Sequence, residues 1–275
     1  MNLQHLENIA SNYGKSERMP VLFIGHGSPM NAIEENQFVQ GFRRVASEIP
    51  LPKAILCISA HWFTQGTYVT AMDLPKTIHD FYGFPKELFE VEYPAPGSAE
   101  LAKEAIDLLV PTLVEEDHSW GLDHGAWSVI RHLYPDADIP VIELSIDYTK
   151  GPEYHYDLAN RLSKLRNQGI LIIGSGNIVH NLRLIDWKNI NTVGAGWDWA
   201  IEAREKTNNW ILEGNAKPLL EYQKQGTALQ YAIPSPDHYL PLIYSLGLKD
   251  KQDEISLFND ELIGGSLSMT SVKIQ

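Results

Sequence analysis

The chain has 275 residues and a formal net charge of −13, from 22 basic and 35 acidic residues, with 44% hydrophobic and 21% charged side chains. That is long enough for one large α/β domain or two small ones, and it leaves no basic footprint for nucleic acid or an anionic membrane surface. No apolar run approaches the ~18 residues that span a bilayer, Met1 to Arg18 is too polar for a signal peptide, and the lone Cys57 cannot form an internal disulfide, so a cytoplasmic protein is expected.

A short helix is expected over residues 2–14. Pro20-Val21-Leu22-Phe23-Ile24 reads as a buried strand that runs directly into Gly25-His26-Gly27-Ser28-Pro29. Glycine on both sides lets the backbone turn sharply beside the histidine. Phe38, Phe42, Val45, Ala46 and Ile49 fall at helical spacing and predict a helix over 33–49, ended by Pro50 and Pro52. A second strand, Ala54 to Ser59, leads to His61, and strand–loop–helix–strand is the unit of a parallel sheet. Cys57 sits inside this strand and reads as a buried, inert thiol.

Residues 67–72 predict a further strand. The aromatic, Gly- and Pro-rich stretch from Ile78 to Gly97 lacks periodicity and reads as an ordered binding loop. Helices are expected at 98–110, capped by Ser98, at 126–134, at 153–167, at 197–212 and at 216–224, and strands at 112–115, 140–146 and 170–173. Pro234 to His238 opens an apolar helix, Tyr239 to Leu246, with Asp237 as its cap and Pro241 tolerated in the first turn. Ser268 to Ile274 alternates like a strand. With no repeat and no linker, residues 1–275 read as a single catalytic domain, α/β in class, with a mostly parallel central sheet flanked by helices and the active site at the carboxyl ends of the strands.

Ten histidines are present. His5, His132 and His155 read as surface residues. His26, His61 and His180 each follow a buried strand, His124 precedes a helix, and His238 stands at a helix start, positions that a wound sheet can bring to one edge. Neutral imidazoles from separate loops suit zinc, iron, copper or nickel, although no pair has the i, i+4 spacing of HExxH. Gly174-Ser175-Gly176 resembles the start of a phosphate loop, but no lysine follows and Val179 stands where a third glycine belongs. Asp123 either orients an imidazole or caps the helix behind it. Tyr239, Trp62 and Phe63 read as core or pocket wall.

The blocks GHGSPM (25–30), SAHWF (59–63), TIHDFYGFP (77–85), YPAPGS (93–98), GLDHGAW (121–127), GSGNIVHN (174–181) and DHYLPL (237–242) are, in this order, similar to the DODA-type extradiol ring-opening dioxygenases of the LigB-like class III family, and nearest to its bacterial 4,5-DOPA dioxygenase branch. The resemblance implies that His26, His61 and His238 bind a non-haem divalent metal, with His180 as acid/base and as a possible fourth ligand. It implies that His124 hydrogen-bonds substrate or oxygen. It also implies ring cleavage of a catechol such as L-DOPA beside the diol with O2, giving seco-DOPA. Fe(II) is expected for activity. A ligand set of histidines without a carboxylate also suits Zn(II) as isolated. The competing expectations are a zinc-dependent hydrolase on the same scaffold and a non-catalytic metal-binding protein. Partners are expected to be the catechol and O2, with no nucleic acid or membrane, in a monomer or small homo-oligomer.

Overall fold

The four apolar runs that read as buried strands lie side by side and parallel in the computed structural model, which describes residues 18–190 and 192–275. The helix expected at 2–14 and His5 lie outside the described residues. Strands β1 (Val21–Gly25), β2 (Ala54–Ser59), β3 (Val141–Glu143) and β4 (Ile170–Gly176) pair in the order β3-β2-β4-β1. Beyond β1, two antiparallel strands, β5 (Ile255–Phe258) and β6 (Ser271–Ile274), complete the six-stranded sheet in the order β1-β6-β5.

The parallel strands are apolar throughout because both faces are covered. Val21, Phe23, Leu56, Ile58 and Ile172 point into one core, while Leu22, Ile24, Ile55, Cys57, Leu171 and Ile173 point into the other. Helices α1 (Gln37–Glu48) and α3 (His124–Leu133) cover the second face, and α2 (Ala99–Leu109), α4 (Pro152–Leu162), α5 (Asp198–Leu212) and α6 (Leu240–Gly247) contribute to the first. The mixed α/β fold with a mostly parallel central sheet is therefore as expected, and Cys57 is buried within it. Among the described residues, no helix is long and apolar enough to cross a membrane.

Local chemistry sets the boundaries that differ. Helix α1 starts at Gln37 rather than 33 because the Asn36 side chain accepts from the Phe38 and Val39 amides, behind a 3-10 turn at Pro29–Ala32. Ser98 caps α2 as expected. The strand expected at 140–146 breaks into Val141–Glu143 and Ile146–Asp147, and the second piece pairs with Phe63–Thr64. The helix expected at 216–224 is two short turns, Ala216–Leu220 and Tyr222–Lys224.

His155 is not a surface residue. It is buried on α4 and shares a hydrogen bond between its Nδ1 and the Tyr244 hydroxyl at 3.0 Å. Burial pulls its pKa down to about 4, so the ring is neutral in the core. His132 is half-buried rather than exposed, with Nε2 donating to the Asn31 carbonyl at 2.8 Å.

Under the sheet, the buried Arg166 guanidinium donates to Asp253 at 2.6 Å and to the carbonyls of Met19 and Leu248, both at 2.9 Å. Arg18 pairs with the same carboxylate. Arg166→Met is expected to cost about 3–5 kcal/mol, because it leaves Asp253 and two carbonyls short of their donor. Urea unfolding measures it, as a lower midpoint with an unchanged slope. Burial alone would raise the Asp253 carboxyl, but its bonds to Arg18 and Arg166 outweigh that and hold it well below the usual range. This contribution is present above an unfolded Asp value of about 4 and is lost as the pH falls towards the depressed folded value.

Candidate metal centre

Strands β2, β4 and β1 are adjacent and parallel, so their carboxyl ends share one edge. His61, His180 and His26 follow those three strands in turn. Strand β4 continues through Gly174-Ser175-Gly176, so this segment is not a phosphate loop. Its glycines make a notch. A Cβ on Gly176 would overlap the His238 carbonyl, and the Asn177 amide donates to that same carbonyl at 2.9 Å. The close approach of the segment before α6 thereby brings His238 over the end of β4.

His124 is the first residue of α3. Asp123 caps the helix by accepting from the Ala126 amide at 3.1 Å, which decides between the two roles open to it. It also accepts from Ser59 Oγ at 2.6 Å, and its own amide donates to the buried Glu143 at 2.9 Å. Burial pushes the Glu143 carboxyl well up, and the Asp123 charge adds to this. Gly125 lets the helix seat this closely, since a Cβ there would meet Ser59 Oγ and lie 2.7 Å from His61 Cδ2.

All five nominated histidines meet. Ring centres of His26, His61 and His238 form a near-equilateral triangle with sides of 5.1, 5.2 and 5.0 Å. With metal–nitrogen bonds of about 2.0–2.1 Å, three imidazoles directed at one ion have centres roughly 5 Å apart. The Nε2 atoms of His26 and His61 lie 3.4 Å apart, close to the edge of about 3.3 Å expected for a tetrahedral ion. His124 sits differently, 3.8 Å from His61 and 6.0 Å from His26 between centres, although the ligand atoms of His26, His61 and His124 all lie within 4.8 Å of one another. His180 stacks flat on His238, at 3.6 Å and 7°, and these two rings with Asp237 form a second group of ligand atoms within 4.8 Å.

Hydrogen bonds on the far side of each ring set its proton. Ser175 Oγ donates its one proton to the Gly125 carbonyl at 2.6 Å, so towards His26 Nδ1, at 2.9 Å, it can only accept. His26 therefore carries its proton on Nδ1 and a lone pair on Nε2. His238 donates Nδ1–H to Asp237, and His61 Nδ1 faces Asp80 Oδ2 at 3.5 Å. With Nδ1 of each ring turned to an oxygen, Nε2 is left as the ligand atom, and those of His26 and His61 lie 3.4 Å apart, a donor set that fits a divalent metal.

Burial, followed by the neighbouring imidazoles, lowers His26 and His61 well below the usual histidine range. Burial likewise pulls His180 down to about 3. Neutral rings are the form that binds metal. The His180 ring makes no hydrogen bond to a hydroxyl or carboxylate among the described residues, although the Asp237 carboxylate lies nearby. Its backbone is fixed, with its amide donating to the Ala232 carbonyl at 2.8 Å.

Two acidic residues of the site escaped the sequence reading. Asp237, expected as a cap, instead binds the His238 ring, and α6 starts at Leu240 with no side-chain cap. Asp80 Oδ1 accepts from the His124 amide at 2.9 Å and lies 3.0 Å from His124 Nδ1. Burial would raise this carboxyl, but its contacts with His124 outweigh that and lower it. The available signal was its place within TIHDFYGFP, among the blocks that carry the resemblance. The adjacent Phe81 meets the His124 ring edge-on at 5.5 Å and forms an aromatic wall with Phe84 and Phe89.

The family model described as the catalytic LigB subunit of aromatic ring-opening dioxygenase matches residues 20–267. The chain is 46% identical over 264 residues to a 4,5-DOPA dioxygenase extradiol of Escherichia coli K12, across 94% of this chain and 96% of that protein. It is 36% identical to a protein of the same name from Beta vulgaris, across 91% of this chain and 94% of that one. A solved structure of an uncharacterized protein from Escherichia coli K12 matches with a TM-score of 0.80 at 39% identity, covering 94% of this chain and 100% of that one.

Proposed function

This chain belongs to the LigB family of aromatic ring-opening dioxygenases, and on that premise we propose that it opens the ring of L-DOPA, or of a closely related catechol, by 4,5-cleavage beside the diol. It is an extradiol dioxygenase that acts on a small aromatic molecule with O2 and uses a non-haem metal. We assign the metal ligands as His26, His61 and His238, with Fe(II) for turnover and Zn(II) as a second occupant that the all-nitrogen set would accept. The observation that carries the assignment is the near-equilateral triangle of these three rings.

When bound, the metal supplies Lewis acidity and, as Fe(II), electron exchange with dioxygen. The protein supplies the rest. Ser175, Asp80 and Asp237 hold the ligand rings with Nε2 inward. In our reading His180, neutral and without a ring partner, accepts a proton from the catechol hydroxyl. His124, with Nδ1 turned to Asp80, presents Nε2 to the oxygen side and assists the second proton transfer. The apolar wall around Phe81 receives the aromatic ring. The name shared by the relatives supports L-DOPA as the first substrate to test.

The test is anaerobic loading with Fe(II), then addition of oxygen and L-DOPA. Oxygen uptake in proportion to catechol consumed, with a yellow semialdehyde product, is the expected result. Iron-loaded protein that consumes no oxygen with L-DOPA or simple catechols would overturn the substrate assignment. Ester hydrolysis by the zinc-loaded form, without oxygen uptake, would favour the hydrolase instead.

A further inference from the structure

We propose that Asp80 is a positioning residue whose single carboxylate stands against the Nδ1 edges of both His61 and His124 and favours the proton there, so that a ligand ring and an acid/base ring are set by one group. The role given to His61 rests on the function proposed above. The carboxylate uses its two oxygens separately. Oδ1 faces His124 Nδ1 at 3.0 Å and takes the His124 amide at 2.9 Å, while Oδ2 faces His61 Nδ1 at 3.5 Å. The two rings lie 3.8 Å apart between centres, and they come from different elements, the exit of β2 and the start of α3. Asp80 itself comes from a third element, the nonperiodic loop after residue 72. It thus ties together three segments, of which the loop and the approach to α3 also share backbone bonds among Lys76, Ile78 and Leu122.

An ionised carboxylate only accepts hydrogen bonds. Beside its negative charge, each imidazole is stabilised with its proton on Nδ1, which leaves Nε2 open to the site. An amide of the same size has one accepting and one donating end. In Asp80→Asn, whichever ring meets the amide NH2 must turn a lone pair to it and shift its proton to Nε2. For His61 that blocks the metal; for His124 it removes the nitrogen offered to the oxygen side.

The experiment is ring 15N–1H NMR of histidine-labelled full-length protein, metal-free and zinc-loaded, with His61 and His124 assigned by single substitution. Zn2+ titration by competition with a chelating dye accompanies it for wild type, D80N and D80E. Expected are Nδ1–H tautomers for both rings in wild type and an Nε2–H tautomer for one of them in D80N. The Zn2+ Kd of D80N should rise about 10–100-fold, the usual range for groups that orient metal ligands, and D80E should recover most of it. An Nε2 proton on either ring of the wild-type protein would overturn the assignment, whether or not the variants fold. So would D80N with unchanged tautomers and wild-type affinity. Neither readout requires turnover. A protein with the expected tautomers but no oxygen uptake would therefore count against the dioxygenase reading and for the role of Asp80.

Discussion

His180→Ala is expected to lower kcat with L-DOPA by roughly 10²–10⁴, the usual worth of a positioned acid/base group, while the protein still binds one metal ion. His26 and His238 each hydrogen-bond a hydroxyl or carboxylate through Nδ1, and His61 Nδ1 lies 3.5 Å from the Asp80 carboxylate. A ring oriented in that way keeps Nε2 available to a metal. The His180 ring has no such partner among the described residues, so its proton is free to come and go. Its parallel stack on His238 at 3.6 Å is also too close for two rings directed at one ion, whose centres would lie roughly 4.5–5 Å apart. The measurement is oxygen uptake together with metal content by elemental analysis. Loss of turnover with full metal content is the expected result. Loss of the metal in the same variant would make His180 the fourth ligand that the family resemblance allows.

How much of this site was legible before the structure depends on what each residue's neighbours in sequence revealed. His26, His61 and His180 stood out because apolar runs precede them, and adjacent parallel strands necessarily end on one edge. His238 stood out at a helix start, but its place as a ligand depended on the resemblance, since its approach is governed by the missing Cβ of Gly176, a contact more than sixty residues away in sequence that no local pattern reports. Asp80 lies in a stretch without periodicity, where a carboxylate looks like any loop residue until its partners are known. Asp237 shows the opposite error. An acidic residue before an apolar helix reads as a cap, but the histidine beside it competes for the same oxygen and wins. His155 was misplaced although its signal was present: His155, Leu158, Ala159 and Leu162 form one buried stripe of α4, and the polarity of the imidazole hid its membership. The edge strand Ile255–Phe258 is half-exposed and four residues long, too short for alternation to distinguish it from a loop.

His238→Ala is expected to abolish stoichiometric metal binding, and His124→Ala to retain it while losing turnover. The contrast matters because proximity alone does not choose between these two histidines. Both have a carboxylate at Nδ1, and the ligand atoms of His124 do lie near those of His26 and His61. Orientation decides. A metal site needs rings that point at a common centre, and such rings keep similar spacings. His238 lies 5.0 Å from His61 and 5.2 Å from His26 between ring centres, matching the 5.1 Å between those two. His124 instead lies 3.8 Å from His61 and 6.0 Å from His26, so its ring lies beside the triad rather than completing it. Losing one of three protein ligands leaves two imidazoles that hold a divalent ion weakly. Losing His124 leaves the triad intact and removes an acid/base group, again worth roughly 10²–10⁴ in kcat. Zn2+ titration and oxygen uptake on both variants separate the cases. Retained metal in His238→Ala with lost metal in His124→Ala would move the centre to His26, His61 and His124, and would leave the stacked pair of His180 and His238 as the acid/base machinery.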